Sequence, residues 1–590
     1  MPSLKHKNLL VVFVAATTLL LPVSSRAGLE ENYPPETLAY AYWAGRSIVF
    51  DGSDFGKILL QQPDIERLLK LLTTGNGMDA GKRDTIVRLA RMWSEAWQCP
   101  CAAGLVGITD DFVPRLVVTI DLGEKVGEFR NELDMIAENL SEGTTQIAPS
   151  TKSGRGIYRM LTGNDETAEI SVGFIDSVFF AAMGEKGFTI KFLEKKAKKS
   201  IVEEKKYKNS MKAVAGENIQ FSLYIDVAGI TGQLKELEGK KDNRGSELQL
   251  LLDALGVKSI DSIATTAIIN KKQMCAKIRI TNTAPHTGIL SLFTGMPLTQ
   301  SDLSVVPSDT VFFAALNISP LKVQEEIHRA AKIIGSDAED SVKKTEKKID
   351  GNLGLSLTND ILPVLGDTFV LYCSERHGGF PTGMVLAVEL ADPKKAEAVS
   401  TRLESLAKAP AKIRKMQSGK TEIRYLVSGK ENTLVMPAWT ISENRVYLAL
   451  WPQVLAGVFE DKITPILSHA PFEDLRAGIA GKSSILCYVD FAVLAQRLYP
   501  FQLLLSSSAA NLLDSQIPDK EWLLIAGDTL QKELDNLQPG VFSVSSDKEG
   551  ITVESIGAGA SWLLCNVRTF LAWHYLVNRK NTEKSSSQQK

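Results

Sequence analysis

The sequence lacks the motifs that identify most enzyme and cofactor sites. It has no Gly-x-Ser-x-Gly elbow, no His-Glu-x-x-His helix and no Gly-x-x-x-x-Gly-Lys-Ser/Thr phosphate loop. Histidine is scarce, and those that follow position 27 are His286, His328, His377, His469 and His574. None stands at metal-ligand spacing from another, although a Ser-His-Asp site needs no proximity in sequence. We therefore predict no catalytic, cofactor-binding or metal-binding residue, and an enzyme is less expected than a non-enzyme.

An excess of positive charge is also missing. The chain has 67 Lys and Arg residues against 69 Asp and Glu residues. A protein that binds nucleic acid presents a basic face that displaces counterions, so no nucleic acid partner is expected. Length, in contrast, is ample. The roughly 560 residues that follow position 27 exceed what one hydrophobic core usually serves, which predicts at least two domains.

Cysteine is sparse for a chain of this length, which can bury enough apolar surface without disulfides. Cys373 and Cys487 lie in apolar strand-like runs and are expected to be buried free thiols. Cys99 and Cys101 could form a redox or metal pair, but no second Cys or His pair stands at zinc-like spacing. Structural thiols are therefore the expectation for this pair too.

The N-terminal segment has the pattern of a signal peptide. A basic stretch precedes an apolar run over 9–21, and the small residues Ser25 and Ala27 occupy the cleavage-reading positions. The run is too short to cross a hydrocarbon core, which needs roughly 20 residues. We expect removal of residues 1–27 and a periplasmic or extracellular protein.

A second apolar segment, 562–577, precedes a polar tail over 578–590. It contains Asn566, Arg568 and His574, and one Arg in the middle of a membrane span costs about 2.5 to 3.5 kcal/mol. A packed or interfacial amphipathic helix is favoured over a span, and an interfacial helix would give peripheral membrane contact.

The chain repeats itself at an offset of about 268 residues. Residues 115–122 align with 383–390, and each segment is an alternating apolar strand that ends in an acidic residue and leucine. A helix with one apolar stripe follows each strand. Further matches, in the same order along the chain, are 34–38 with 306–310, 157–163 with 423–429, 178–182 with 446–450 and 224–226 with 488–490. A preserved order with a slowly drifting offset indicates a tandem duplication.

The repeat predicts an α+β fold made of two diverged copies of an antiparallel sheet, with helices packed on one face. The first copy covers 28–303 and the second covers 304–577. The first copy also carries a helical insertion at 55–97 and a Lys-rich helical linker at 191–212. Glutamates interleave with these lysines, which indicates a solvated helix rather than a site for an anionic partner.

The start of each copy carries a family resemblance. Residues 306–310, Val-Pro-Ser-Asp-Thr, precede an apolar strand, as in the secreted bacterial families of unknown function whose members begin near Leu-Pro-Ala-Asp-Thr. Segments 365–369 and 388–393 are also similar to that family. The first copy departs from it at Pro35-Glu36, where the family usually has Ala-Asp. The resemblance implies an exported protein and no established activity, so it transfers no site residue.

Two loops between predicted strands are candidate sites. Asp110 and Asp111 could act as paired carboxylates in acid-base chemistry or metal binding, and an acidic turn is the alternative. The loop 374–379 collects a nucleophile, an acid and a base, which are Ser374, Glu375 and His377. A polar hairpin is the simpler interpretation of this loop.

Three hypotheses of function follow. The favoured one is a non-catalytic envelope or secreted protein that binds a partner, such as an envelope protein, or forms structure. The second is a periplasmic carrier of an apolar ligand such as a lipid, held between the sheets and the helices at 126–140 and 396–406, which predicts a large apolar cavity. The third is a hydrolase with its site at 374–379, which predicts a buried partner and a shifted pKa for Glu375 or His377.

Overall fold

The computed structural model places the chain in two compact units. Unit 1 comprises Met1–Gly245 with Ile260–Thr283, and unit 2 comprises Ser246–Ser259 with Ala284–Lys590. The structure describes residues 29–53, 88, 91–92, 95–111, 113–140, 146–147, 150–153, 156–162, 169–194, 199–238, 250, 252–270, 273–282, 286–406, 412–427, 435–460, 463–479, 482–494, 496–497 and 538–557. The predicted signal peptide, most of the helical insertion at 55–97, the segment 562–577 and the polar tail lie outside these residues.

Unit 1 contains one antiparallel sheet. Its strands are β1 Ala39–Trp43, β2 Cys101–Ile108, β3 Pro114–Asp121, β4 Gln146–Ile147, β5 Thr151–Ser153, β6 Gly156–Thr162, β7 Glu169–Ile175, β8 Val178–Gly184, β9 Ile219–Ile225, β10 Ile260–Asn270 and β11 Gln273–Asn282. The strand order is β11-β10-β9-β1-β2-β3-β8-β7-β6, and both β4 and β5 pair with β6. The described helices are α1 Ile48–Gly52, α2 Val126–Leu140, α3 Phe188–Glu194, α4 Lys205–Ala213 and α5 Val227–Glu238.

Unit 2 also contains one antiparallel sheet. Its strands are β12 Thr310–Asn317, β13 Leu365–Ser374, β14 Met384–Leu390, β15 Lys412–Ser418, β16 Thr421–Val427, β17 Ala438–Ser442, β18 Arg445–Ala449, β19 Ile485–Val489, β20 Gly540–Asp547 and β21 Gly550–Gly557. The strand order is β21-β20-β19-β12-β13-β14-β18-β17-β16-β15. The described helices are α6 Gln300–Leu303, α7 Pro320–Ile334, α8 Ser336–Leu353, α9 Pro393–Leu406, α10 Pro452–Glu460 and α11 Ala470–Arg476. From β21 to β16, this order repeats the order from β11 to β6 strand by strand.

Local sequence explains the connections within both sheets. Two-residue turns join β7 to β8 and β17 to β18, and Asp176 and Glu443 adopt positive φ angles of 52° and 55° there, as tight hairpins require. After β9, the Asp226 carboxylate accepts the backbone N–H of Gly229 at 2.7 Å and starts α5. After β19, Asp490 accepts the N–H of Val493 at 3.1 Å in the same way.

One face of each sheet is fully covered, and we call it the covered face. In unit 1 it carries Tyr40 and Tyr224, which contact Tyr207 of α4 edge to face at 6.1 and 5.1 Å between ring centroids. On this face, residues of adjacent strands that lie directly opposite one another form a row across the sheet. The row that includes Tyr40 and Tyr224 is Ala264, Tyr224, Tyr40, Gly104, Val117, Ala182 and Ser171, and every member is buried. A Cβ on Gly104 would lie 2.6 Å from the Tyr33 ring, so this face is tightly packed.

In unit 2 the covered face carries Phe313 and Tyr488. Both rings contact Phe472 of α11 edge to face, at 5.4 and 5.6 Å. The row of opposed residues there is Val541, Tyr488, Phe313, Tyr372, Val385, Ala449 and Ala438, all buried.

The sequence predicted helices on one face of each sheet, and this detail is wrong. Helices α4 and α11 pack on the covered faces, whereas α9 packs on the opposite face of unit 2, where Trp439 Nε1 donates to Ser400 Oγ at 2.9 Å. In unit 1, α2 likewise contacts the face opposite Tyr40, through Phe129 and Phe179 at 6.3 Å. The physical reason is that these strands are apolar on both sides, so each side must be at least partly covered. The α+β class and the antiparallel pairing are confirmed.

Candidate functional site

The candidate loop 374–379 begins at the last residue of β13, forms the first part of the connection to β14 and is held by a carboxylate. Ser374 Oγ donates to both carboxylate oxygens of Asp309 at 3.0 Å, and the backbone N–H of Arg376 donates to Asp309 Oδ2 at 2.8 Å. Asp309 belongs to the Val-Pro-Ser-Asp-Thr segment. The acidic residue of that segment therefore fixes the conformation of the loop.

The three candidate side chains of this loop have different partners. The Ser374 hydroxyl faces Asp309, and Glu375 forms an ion pair with Arg497. The His377 ring packs against α10, where a Cβ on Gly457 would lie 2.9 Å from His377 Cδ2. These contacts are those of a folded hairpin connection, in which the Ser374 hydroxyl donates to a carboxylate.

Asp110 and Asp111 lie in the turn between β2 and β3. The turn is closed by the Thr109 N–H, which donates to the Val113 carbonyl at 2.9 Å, and by the Val113 N–H, which donates to Thr109 Oγ1 at 3.0 Å. Both aspartates are exposed. Among the residues that the structure describes, no group of three or more His, Cys, Asp or Glu side chains is arranged to hold a metal ion.

The described cysteines are free thiols. Burial raises the pKa of Cys99 and Cys101 above the ordinary thiol value and raises the pKa of Cys373 and Cys487 to about 11. Thiols with such pKa values are protonated at neutral pH and are poor nucleophiles and poor metal ligands. A structural role fits the Cys99 and Cys101 pair better than redox chemistry.

The Lys-rich linker at 191–212 includes the end of α3 and most of α4, and residues 199, 200 and 204 between them are not helical. Lys206 lies between Asp226 and Asp261, with Nζ to Oδ1 distances of 2.6 and 2.8 Å. This lysine therefore pairs within its own unit. No helix in the described ranges is long and apolar enough to cross a membrane.

The feature with binding potential is the face opposite the covered one. In unit 2 its central row consists of directly opposed residues on seven adjacent strands, which are Phe542, Cys487, Ala314, Leu371, Leu386, Leu448 and Trp439. Leu448 is 39% exposed and the others are half-buried. We call this set the apolar row of unit 2. An antiparallel sheet with one face toward solvent normally has polar residues there.

Unit 1 has a corresponding apolar row on six adjacent strands. Its members are Leu223, Ala41, Ala103, Val118, Ala181 and Val172, all half-buried. None of these side chains has a hydrogen-bonding atom. The backbone groups of the central strands are paired with neighbouring strands on both sides, so the surface offers only hydrocarbon.

Each apolar row leads into an arginine under a helix. In unit 1 the residue opposite Val172 is Arg159, which pairs with Asp134 of α2. In unit 2 the residue opposite Trp439 is Arg424, which lies 2.9 Å from Glu404 of α9 and donates to Ser400 Oγ at 3.0 Å. The rows are thus bounded at one end by the helices α2 and α9.

The sequence reasoning did not identify these rows as a site. Their signal is present in the sequence, because 178–182 and 485–489 are continuously apolar although they pair with antiparallel neighbours. Continuous apolar runs in an antiparallel sheet indicate that both faces avoid water.

Fold and contacts define a two-unit α+β protein with an antiparallel sheet in each unit and a half-buried apolar row on each sheet. The chain belongs to the family described as protein of unknown function (DUF3352), whose sequence profile matches residues 127–516. No curated protein is similar enough to count as a match.

Some solved structures show a distant likeness. Crystal forms I, III and IV of TP0453 are 10%, 9% and 10% identical to this chain. The matches cover 45%, 46% and 44% of this chain and 85%, 85% and 81% of those chains, with TM-scores of 0.22, 0.22 and 0.21. Likeness at this level carries no argument about function.

Proposed function

We propose that this is an exported, non-catalytic binding protein that carries an apolar ligand, such as the acyl chain of a lipid, on its apolar rows. The carrying observation is a sheet face whose central row is apolar and half-buried, on six adjacent strands in unit 1 and on seven in unit 2. The basic and apolar N-terminal pattern over 1–27 supports export.

The chemistry of the rows favours a hydrocarbon ligand over a protein partner. Protein interfaces usually contain about one hydrogen bond per 100–200 Å² and a polar rim. The side chains of the unit 1 row can form none, and in unit 2 the indole N–H of Trp439 is already donated to Ser400. A ligand that needs no hydrogen bonds gains the most from such a surface, at about 25 cal/mol per Å² of apolar area removed from water.

We also infer that the two units arose by duplication. The shared strand order supports this, as do the ring contacts of Tyr40 with Tyr207 and of Phe313 with Phe472. The arginine pairs correspond too, since Arg159 and Arg424 occupy the same position relative to the rows.

The start of each sheet adds further support. The Thr37 N–H donates to the Pro34 carbonyl at 3.1 Å, and the Thr310 N–H donates to the Pro307 carbonyl at 3.2 Å. This correspondence pairs 34–37 with 307–310, one residue away from the sequence alignment. In this alignment Glu36 corresponds to Asp309. Each copy therefore has a proline, then any residue, then an acidic residue and then threonine.

Lipid extraction and native mass spectrometry test the proposed function. The chain is purified without detergent, and we expect a co-purifying lipid and binding of the fluorescent fatty acid cis-parinaric acid. The double variant Ala181→Glu/Leu448→Glu places one carboxylate on each apolar row and should lower parinaric acid affinity at least tenfold, because a charge would be desolvated by the bound chain.

The matched control is Ile48→Glu/Leu321→Glu, which alters exposed apolar residues off the rows, 92% and 39% exposed. It should bind normally. A wild-type chain that releases no lipid and does not bind parinaric acid would refute the proposal, and a defined oligomer lost in the row variant would assign the rows to protein association.

A further inference from the structure

Helices α7 and α8 form an antiparallel hairpin and contact each other along one seam. Gly335 connects them, and in the seam Glu346 Oε1 accepts from Gln324 Nε2 at 2.7 Å and lies 2.8 Å from His328 Nε2. No residue of α8 is buried. Helix α8 therefore keeps surface open to solvent on both sides of the seam.

The two sides of this hairpin differ in charge. A spacing of three and four residues extends the seam to positions 331, 342 and 349. In an antiparallel pair, the residues one position after the seam on both helices lie on one side, and those one position before it lie on the other. The first side is entirely charged and consists of Glu325, Arg329, Lys332, Lys343, Lys347 and Asp350. The second side, continued over the hairpin tip in the same spacing, consists of Val323, Ile327, Ala330, Ile334, Ala338, Ser341 and Thr345 and then reaches Lys348. We call the seven residues before Lys348 the uncharged side.

The uncharged side is exposed and needs no polar partner. Ile327 and Ile334 are each 49% exposed and lie seven residues apart, on one face of α7. The Thr345 hydroxyl already donates to the Ser341 carbonyl of its own helix at 2.8 Å. Exposed aliphatic residues grouped on one side of a helix pair are typical of a surface that packs against other helices.

Charges at the two ends of the uncharged side indicate which partner fits. Asp337 precedes Ala338 at the hairpin tip, Lys348 lies at the other end, and both are exposed. Among the described residues no ion pair involves Asp337 or Lys348, whereas Lys343 is paired with Glu339 at 2.6 Å. An acidic tip disfavours the anionic surface of a membrane. Opposite charges at the two ends instead suit a second copy that lies antiparallel, because Asp337 of each copy then meets Lys348 of the other.

We propose that the uncharged side of α7 and α8 packs against the same side of a second copy of this chain and forms a four-helix bundle. A two-fold axis near Ala330 and Ser341 brings Ile327 of each copy to Ile334 of the other. A face two helices wide and about 18 Å long is small for a protein interface, so we expect a weak dimer that dissociates on dilution. The dimer is independent of the apolar rows and of the proposed ligand.

Analytical ultracentrifugation of the full chain over a range of concentrations tests this inference. Ile327→Glu/Ile334→Glu should weaken the dimer at least tenfold, because four carboxylates would face each other across the axis. The matched control Leu255→Glu/Ile289→Glu alters residues that are 40% and 49% exposed outside the hairpin and should dimerise as the wild type does. Circular dichroism and urea unfolding establish that each variant is folded.

A charge exchange tests the antiparallel arrangement. Lys348→Glu alone and Asp337→Lys alone should each weaken the dimer, because like charges then meet at both ends of the contact. An equal mixture of these two variants restores both opposite-charge contacts and should associate within twofold of the wild type. A mixture that associates no better than either variant alone would overturn the arrangement.

Other outcomes would overturn the dimer itself. They are a wild-type chain that is monomeric at about 100 µM and a dimer that persists in Ile327→Glu/Ile334→Glu. The variant Ala181→Glu/Leu448→Glu should dimerise normally, and loss of the dimer there would assign association to the apolar rows instead. Failure of parinaric acid binding would refute the proposed function and leave the dimer untouched.

Discussion

The covered faces of the two units carry the same three-ring contact with different rings. Unit 1 uses Tyr40, Tyr207 and Tyr224, whereas unit 2 has Phe at the first two positions and Tyr488 at the third. The Tyr40 hydroxyl is buried and has no hydrogen-bond partner among the described residues, and burial raises the Tyr40 pKa well above its ordinary value. This difference shows that packing on the covered face requires an aromatic ring at these positions in both units. The Tyr40 hydroxyl, in contrast, adds no hydrogen bond to this packing.

The largest expected effect separates the covered face from the opposite face. Phe313→Ala removes a ring that is 1% exposed and should lower the free energy of unfolding by about 3–5 kcal/mol. Phe312→Ala, one residue earlier and half-buried, should cost clearly less. Urea denaturation measures both. Equal losses would mean that the two faces are equally packed and would contradict the half-buried state of the apolar row.

The next comparison concerns the two arginines under α2 and α9. The Arg424 side chain is 12% exposed and contacts Glu397, Glu404 and Glu422. Arg424→Met should cost about 2 kcal/mol, because it removes the arginine that pairs with the Glu404 carboxylate, which is 21% exposed. Arg159 is 23% exposed and its partner Asp134 is 54% exposed, so Arg159→Met should cost less than about 1 kcal/mol. A reversed order in urea unfolding would show that burial does not set these energies.

The smallest effect has the opposite sign. Tyr40→Phe gives unit 1 the ring of unit 2 and should stabilise the protein by about 1 kcal/mol, because it removes an unpartnered buried hydroxyl. Tyr33→Phe is the control. It removes contacts to Thr119 Oγ1 at 3.1 Å and to the Val117 carbonyl at 3.3 Å and should destabilise the protein by a similar amount. If thermal melting shows a loss for both variants, the Tyr40 hydroxyl does have a partner.

Strand alternation and repeated order made the α+β class predictable from sequence. Segment 115–122 covers all of β3 except its first residue, segment 383–390 contains β14, and the helices predicted after them are α2 and α9. The position of helices on both faces was not predictable in this way. Within one strand such as β19, a continuous apolar run shows only that both faces avoid water, and the element that covers each face is decided by distant segments.

The candidate site was less predictable than the fold. Ser374 and His377 are close in sequence, but their contacts depend on Asp309 and on Gly457 of α10, which are far away along the chain. The apolar row of unit 1 depends on strand register, because Ala103 and Ala181 become neighbours of Val118 only after β2, β3 and β8 pair. Single-sequence patterns contain no register information between distant strands.

The central position of β1 and β12 has a consequence for the order in which the protein can form during synthesis. Tyr40 lies opposite Tyr224 and Phe313 lies opposite Tyr488, so each first strand is completed on one side only by a strand made much later. Until β9 has been synthesised, β1 has one edge of unpaired backbone groups, and the same holds for β12 until β19 has been synthesised. Such an edge, on a strand with apolar side chains, can pair with other chains. Each unit must therefore pass through an aggregation-prone stage that ends only when nearly all of its strands have been made.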